Sequence, residues 1–392
     1  MNTSILNKSI QDFITKNSGV SITKLALQKN PFPEVEWISI LNQIEAKSKA
    51  KDKLPTWFST ENIIYPSKIS VEQTSSEKTA SYKASLISGE SLIDLTGGFG
   101  VDDYYFSKKF KVVAHCEINE DLSAIVKHNF EQLQVKNCTF YADDSANILN
   151  ESTQKWDWIY IDPSRRNDAK GKVFMLKDCL PNVPESLEFY FEKSDSVLIK
   201  TAPLLDISAG LSELKFVKNI HIIGLENEVK ELLFEIHNQY SGEITIKTAN
   251  ILKDKIETFE FILGESEYPF YHLPQKYLYE PNSAIMKSGG FDEVSNTFNI
   301  NKLHKHSHLY TSDELIDFPG RTFEIEKLLS YGKNDMKTAL LNQQANITTR
   351  NFPDTVENIR KKWKIKNGGN VYCFFTTDKN DNKIVLICRK IT

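Results

Sequence analysis

The chain has 392 residues, with 48 Lys and Arg against 52 Asp and Glu, for a formal net charge of −4. A protein that coats nucleic acid by bulk charge is excluded by that balance, and 40% hydrophobic content against 26% charged excludes a disordered chain. Five cysteines without a Cys-x-x-Cys pair favour a reducing compartment, and neither an apolar signal core nor a membrane-length run is present, so the expectation is a cytoplasmic protein of two or three folded units.

Residues 1–55 read as an N-terminal helical segment, with Ile5, Ile10, Phe13 and Ile14, then Val35, Ile38, Ile40, Leu41 and Ile44, at helical spacing. It closes in a basic turn from Lys47 to Lys53 and reads as a cap on the domain C-terminal to it. The polar stretch from Glu72 to Lys83 is spaced like a helix opened by Ser or Thr.

The most informative segment is Leu92-Ile93-Asp94-Leu95-Thr96-Gly97-Gly98-Phe99-Gly100-Val101-Asp102-Asp103, an apolar strand running into glycines and then a helix. Glycines let the backbone turn sharply and come close to a ligand that a Cβ would exclude. A dinucleotide fingerprint starting at Gly98 puts Asp103 where its third glycine belongs, and the paired carboxylates of Asp102 and Asp103 would repel a pyrophosphate. No Gly-Lys-Ser or Gly-Lys-Thr comes after the cluster, which removes a Walker loop. The turn suits a ligand without phosphates, and S-adenosylmethionine is the common one.

A short β-branched run, Lys111 to Cys116, ends at Glu117, 23 positions after Asp94, where an acid is placed to accept ribose hydroxyls. A helix from Glu120 to Leu133 and a third strand, Cys138 to Ala142, lead to Asp143 and Asp144. A carboxylate there commonly receives an adenine amine; Asp144 is the first choice and Asp143 the second. A fourth strand, Trp156 to Ile161, ends in Asp162-Pro163-Ser164-Arg165-Arg166, a fifth spans Ser196 to Thr201, and a sixth spans Asn219 to Leu225. Strand and helix alternating in this way predict a parallel α/β sheet with ligands at the carboxyl ends of its strands.

Glu243 to Leu263 gives two strands that read as the sheet's closing hairpin, and a shift at Glu265 to Gln275, with two prolines, marks a boundary. From Gly320 the order is strand (Arg321–Ile325), helix (Asp335–Leu341), strand (Ala345–Arg350), helix (Thr355–Trp363) and two strands (Asn370–Thr376, Lys383–Arg389). Within it Arg360-Lys361-Lys362-Trp363-Lys364-Ile365-Lys366 sets five basic residues around one tryptophan. That suits an RNA backbone and an unstacked base, or equally a core tryptophan with lysines complementing a helix dipole. His304, His306 and His308 would share one face of a strand, either as a metal arrangement or as exposed polar residues; no cysteine or carboxylate stands beside them, and no metal is expected.

With these residues together, the chain resembles a class I S-adenosylmethionine-dependent methyltransferase. The glycine segment is similar to that of a ribosomal RNA guanine-N2 methyltransferase family. Glu72 to Ala80 and Tyr279-Glu280-Pro281-Asn282-Ser283-Ala284-Ile285-Met286-Lys287 resemble a bacterial group with a ferredoxin-like insert and a THUMP-like C-terminus. The fold so implied is α/β: a Rossmann-like methyltransferase sheet at 56–265 behind the N-terminal helices, then small α+β modules, ferredoxin-like at 266–318 and THUMP-like at 319–392.

The resemblance implies that Asp94, Thr96, Gly97, Gly98, Gly100, Glu117 and Asp144 or Asp143 surround S-adenosylmethionine, with Gln73, Ser75, Ser76 and Thr79 lining the pocket. Asp162, Pro163 and Arg165 face the methyl acceptor, and Arg165, Arg166, Lys361, Lys362, Trp363 and Lys364 meet the substrate. Amino-group methyltransferases often read Asp or Asn, Pro, Pro and an aromatic; Ser164 and Arg165 depart from that pattern, which weakens the case for an exocyclic amine. Arg165 and Arg166 suit a phosphate or a base, or form a surface pair. No cysteine sits beside the motif, so direct in-line transfer oriented by Asp-Pro-Ser-Arg is expected over a thiolate mechanism. The expected substrate is RNA, transfer or ribosomal. The alternatives are a protein or small-molecule acceptor, or a non-catalytic RNA-binding protein that holds the cofactor.

Overall fold

The structure is a computed structural model that describes residues 3–164, 166–167, 171–172, 175–265 and 268–391, with backbone alone at 166–167 and 171–172. It divides into two compact units, residues 1–219 with 231–242, and residues 220–230 with 243–392.

The first unit is built on four short parallel strands whose residues are almost all apolar, as strands covered on both faces must be. They are β1 (Ser91–Asp94), β2 (Val112–Cys116), β3 (Cys138–Tyr141) and β4 (Trp158–Ile161). β5 (Ser196–Thr201) continues the parallel set beside β4. β6 (Val217–Leu225) begins in this unit and passes into the second, and the chain returns through β7 (Glu228–His237). β7 pairs antiparallel with β5, from Ser196 opposite His237 to Thr201 opposite Leu232. Within the unit the order is therefore β3-β2-β1-β4-β5-β7, with the carboxyl ends of β1, β2 and β4 side by side. Beside β5 lies Glu228–His237, a strand the sequence reading passes over, and the two strands read at 243–263 stand at the end of the same strand order, as expected.

Helices α1 (Lys8–Lys16), α2 (Ile22–Ala26), α3 (Trp37–Lys53) and α4 (Pro55–Ser59) bear out the helical N-terminal segment. Lys47 to Lys53 is not a turn: it is the last part of α3, where Lys47 is buried and lies over the Phe58 ring at 5.4 Å. Ala46, Ala50, Leu54 and Trp57 share one core with Phe99 and Val101 of the glycine segment and with Val126 and Phe130 of α8 (Glu120–Gln132). The N-terminal helices thus cap the face of the sheet beneath the glycine turn. At ~1.5–3 kcal/mol for each fully buried large apolar side chain, that contact is a substantial part of the unit's stability.

In the second unit, β8 (Thr245–Ile251) and β9 (Ile256–Ile262) form an antiparallel hairpin. The rest is one seven-stranded sheet made from β10 (Tyr277–Pro281), β11 (Asn301–Lys302), β12 (Tyr310–Ser312), β13 (Gly320–Ser330), β14 (Asn346–Thr349), β15 (Val371–Thr377) and β16 (Lys383–Lys390). Its order is β11-β12-β10-β13-β16-β15-β14, so the two C-terminal modules share a continuous sheet through the β10–β13 pairing. Buried Glu280 clamps that seam, accepting from Arg321 and from Arg350 Nη2 at 2.9 Å. Gly320 sits where a Cβ would lie 2.2 Å from the Glu280 carbonyl oxygen, which explains the glycine at the junction. The three histidines lie on a turned segment between β11 and β12 and not on a strand. His304 bonds Asp381 and Asn351, and His308 stacks on Phe291. Among the described residues no group of three His, Cys, Asp or Glu is placed to hold a metal ion, and no helix is long and apolar enough to cross a membrane.

Candidate active site

The glycine turn comes directly after β1 and opens α7 (Val101–Phe106). Asp94 lies beneath it, 2% exposed, its Oδ1 accepting the Thr96 N–H (2.7 Å) and the Thr96 hydroxyl (3.1 Å). The same hydroxyl accepts the Asp162 N–H at 2.7 Å, so Thr96 fastens the end of β1 to the end of β4. Gly97 is required by packing. A Cβ there would stand 2.2 Å from the His115 ring, which is itself fully buried and held by Asp103 at 2.6 Å. Gly98 and Gly100 are left-handed, at φ +55° and +71°. A Cβ on Gly100 would strike Val126 at 2.6 Å, whereas one on Gly98 would meet nothing nearer than the Thr96 carbonyl oxygen at 3.7 Å. Gly98 is the position where the backbone is bare toward open space.

Burial first, and then a neighbouring carboxylate (Asp103 for Asp94, Asp102 for Asp103), push the carboxyls of Asp94 and Asp103 well above the usual range, while burial pulls His115 down. The three form an internal prop under the turn. Asp94, expected to surround the cofactor, supports the turn through Thr96.

Glu117 extends from the end of β2, and its two oxygens accept the Gly98 N–H (3.0 Å) and the Asn119 N–H (2.8 Å). Beside it Ile118 is 70% exposed, an apolar surface that no motif reading singled out. Asp144 caps α9 (Ser145–Glu151), accepting the Ala146 N–H at 2.8 Å. Asp143 borders a cavity of about 400 Å³ lined also by Ile93, Phe140, Tyr141, Ala142 and Trp156. Asp143 Oδ1 in turn accepts the Asp144 N–H at 2.6 Å and the Asn147 side-chain amide at 3.2 Å, so both acids help to hold the start of α9.

The Glu72 to Lys83 segment splits into α5 (Lys68–Gln73) and α6 (Glu77–Leu86). Gln73 is exposed at the end of α5. Ser76 caps α6 by accepting the Thr79 N–H (3.1 Å), and the Thr79 hydroxyl returns to the Ser76 carbonyl, so both side chains are spent on the helix start. Buried Glu77 ties the segment down, accepting from Thr56 and from the Tyr105 hydroxyl (2.7 Å). Ser75 is the residue that reaches the sheet's ligand end.

There it joins a charge cluster that the sequence did not announce. Lys83, fully buried, donates to Asp102 Oδ1 and Glu231 Oε2, each at 3.0 Å, and to Ser75 Oγ at 3.1 Å. Tyr160 donates to Asp102 Oδ2 at 2.8 Å. Lys200, at the end of β5, donates to Asp162. Burial works against the Asp102 charge, but Lys83 and Lys200 prevail and hold its carboxyl down at about 2. Burial likewise raises Glu231. The only sequence signals for Lys83, Lys200 and Glu231 are charges inside otherwise apolar or periodic runs, which resemble ordinary surface residues until the fold is known.

Asp162 is the exposed member of the cluster, with 39% of its side chain accessible. Pro163 is buried, and Ser164 pairs through its backbone with Leu180. Arg165 lies outside the described residues; Arg166 is on a two-residue strand paired with Lys172, its side chain outside the described set. On α10 (Val356–Trp363) the expected RNA face is corrected in one respect. Trp363 is 8% exposed and packs with Met336, Leu340 and Ile359, because the helix turns its apolar stripe inward. Lys361, Lys362 and Lys364 remain exposed, with Lys362 over the Tyr331 ring at 5.0 Å.

The crystal structure of a protein classed as a methyltransferase, from Porphyromonas gingivalis W83, matches the whole of this chain and 99% of its own, at 30% identity and a TM-score of 0.88. The chain belongs to this methyltransferase family. The methyltransferase carries the appended domains that the sequence led one to expect: residues 277–319 match a ferredoxin-like domain family and 320–390 a THUMP domain-like family. Over 98 residues, 25% of its length, the methyltransferase is 33% identical to an uncharacterized RNA methyltransferase of Clostridium acetobutylicum. That stretch is 22% of the relative, so the chain spans under a quarter of it.

Proposed function

We propose that this methyltransferase methylates RNA, transfer or ribosomal, with the cofactor in the Gly98 cradle and the acceptor oriented by Asp162. The observation that carries the reading is the placement of two accessible carboxylates, Glu117 and Asp162, at the carboxyl ends of strands flanking β1, on either side of a backbone turn bare of side chains. The residues fit the cofactor. Gly98 presents open space, Glu117 suits the two ribose hydroxyls, and Ile118 and Asp143 suit the apolar face and amine of an adenine. When bound, S-adenosylmethionine supplies a methyl group on a cationic sulfur.

The chain's task is then to bind and align the acceptor, and alignment alone is worth several orders of magnitude in rate. Asp162 does this and stands ready to take a proton from the acceptor. Four of the five cysteines make poor nucleophiles: burial pushes Cys116, Cys138 and Cys388 far up and Cys373 to about 12, and the fifth, Cys179, is buried with its thiol donating to the Met175 carbonyl at 3.4 Å. RNA as acceptor is supported by the THUMP-like domain, the RNA methyltransferase relative and the exposed lysines of α10.

The test is methyl transfer from tritiated S-adenosylmethionine to bulk RNA from a strain lacking the gene, with subsequent mapping of the labelled nucleoside. Label appearing in RNA with wild-type protein and disappearing with Asp162→Ala, at unchanged cofactor affinity, supports the reading. Label confined to protein or small molecules overturns it.

A further inference from the structure

A buried lysine near the end of β5, Lys200, stands directly behind Asp162. Lys200 is 9% exposed, and its ammonium donates to Asp162 Oδ2 while lying 3.4 Å from Ser75 Oγ and 3.8 Å from Asp102 Oδ2. The interior is already neutral without Asp162, since the ammoniums of Lys83 and Lys200 match the buried carboxylates of Asp102 and Glu231. Asp162 is the additional carboxylate, the one reached from solvent, and Lys200 is turned toward it. Stability does not account for the arrangement. Apolar residues of similar volume in place of a buried ion pair are commonly neutral or stabilising, so a cluster kept only for packing would be served as well by Met and Leu. Burial opposes the Lys200 charge, but Asp162, Asp102 and Glu231 outweigh it and keep the ammonium protonated. Backbone and side chain of Asp162 are then fixed separately, the N–H by Thr96 and the carboxylate by Lys200.

We propose that Lys200 is a positioning residue for methyl transfer: braced by Asp102 and Ser75, it pins one oxygen of Asp162 so that the other receives the acceptor. This rests on the reading of Asp162 as the orienting group. It also gives Ser75, in the connection between α5 and α6, a role at the acceptor end of the site rather than at the cofactor.

The test uses the full chain with Lys200→Met, Lys200→Arg, Asp162→Ala and the Lys200→Met/Asp162→Ala double variant. Cofactor affinity is read by calorimetry, melting by differential scanning fluorimetry, and single-turnover transfer on RNA from the deletion strain. Lys200→Met should keep cofactor affinity and lower the melting temperature, as removal of one partner from a buried charge cluster does, while transfer measured well below the melt falls about 100-fold, the scale of a small misplacement of a reacting group. Lys200→Arg should regain at least about tenfold of that, and the double variant should be no slower than Asp162→Ala alone, because both substitutions remove one function. Multiplying losses in the double variant, or a loss of transfer that only tracks lost melting temperature, overturns the proposal. If wild-type protein transfers nothing to this RNA, the proposed function falls, and crystal structures of wild type and Lys200→Met decide the role of Lys200. One Asp162 rotamer in wild type and several in Lys200→Met uphold it, and the same single rotamer in both refutes it.

Discussion

Two adjacent glycines in the turn after β1 should fail in opposite ways when each is given a methyl group. In Gly97→Ala the new Cβ would stand 2.2 Å from His115 Cε1 and Nδ1, well inside contact distance. The ring has nowhere to go, since it is fully buried and its Nδ1 is paired with Asp103 at 2.6 Å. Overpacking of that kind costs about 1–3 kcal/mol, and breaking the buried pair adds about as much again. A total loss of about 2–6 kcal/mol, centred near about 4, corresponds to a fall in melting temperature of roughly 8–16 °C at that centre for a unit of this size. Gly98→Ala meets nothing closer than 3.7 Å, so only its φ of +55° resists, at ~1–2 kcal/mol. Its methyl group instead enters the cradle, and S-adenosylmethionine affinity should fall at least about tenfold. Thermal melts and calorimetry on both variants check this. If Gly97→Ala melts within 2 °C of wild type (roughly 1 kcal/mol or less), or Gly98→Ala binds the cofactor as tightly as wild type, the account of the turn is wrong.

Lys83→Met strands Asp102 and Glu231 in the interior and should cost about 3–5 kcal/mol in urea unfolding, part of it recovered when Glu231→Leu is added. Asp102, held at about 2 against an unfolded value near 3.8, contributes about 2 kcal/mol that is fully present above pH ~4 and lost as pH falls toward 2; the acid limb of the stability profile should flatten in Asp102→Asn. Lys361→Glu with Lys364→Glu should weaken RNA binding and reduce its salt dependence, as measured by filter binding at several ionic strengths. Trp363→Phe should leave RNA affinity unchanged while lowering stability by about 1 kcal/mol, because the ring is in the core.

Much of the site lay open in the sequence because its signals are local. Gly97, Gly98 and Gly100 between a strand and a helix, Glu117 closing β2 and Asp162 closing β4 are each fixed by neighbours within a few residues, so periodicity and turn chemistry suffice to place them. The helices and strands after Gly320 were legible for the same reason. The sequence was least decisive where one residue has two local uses. Asp144 and Ser76 also cap helices in the fold, and Trp363 belongs equally to a basic stretch and to an apolar stripe until burial selects the second.

The sequence by itself determined a sheet of parallel strands with a phosphate-free cradle and acids at its edge, since composition, alternation and glycine placement act over short range. Only the tertiary structure decided what stands behind that edge. Lys83, Asp102, Tyr160, Lys200 and Glu231 come from five separate elements and meet at 2.8–3.8 Å, and no spacing rule links positions as far apart as 83 and 231. A buried charge reads on paper like an exposed one, because what distinguishes them is the desolvation and the partners that the folded chain alone supplies.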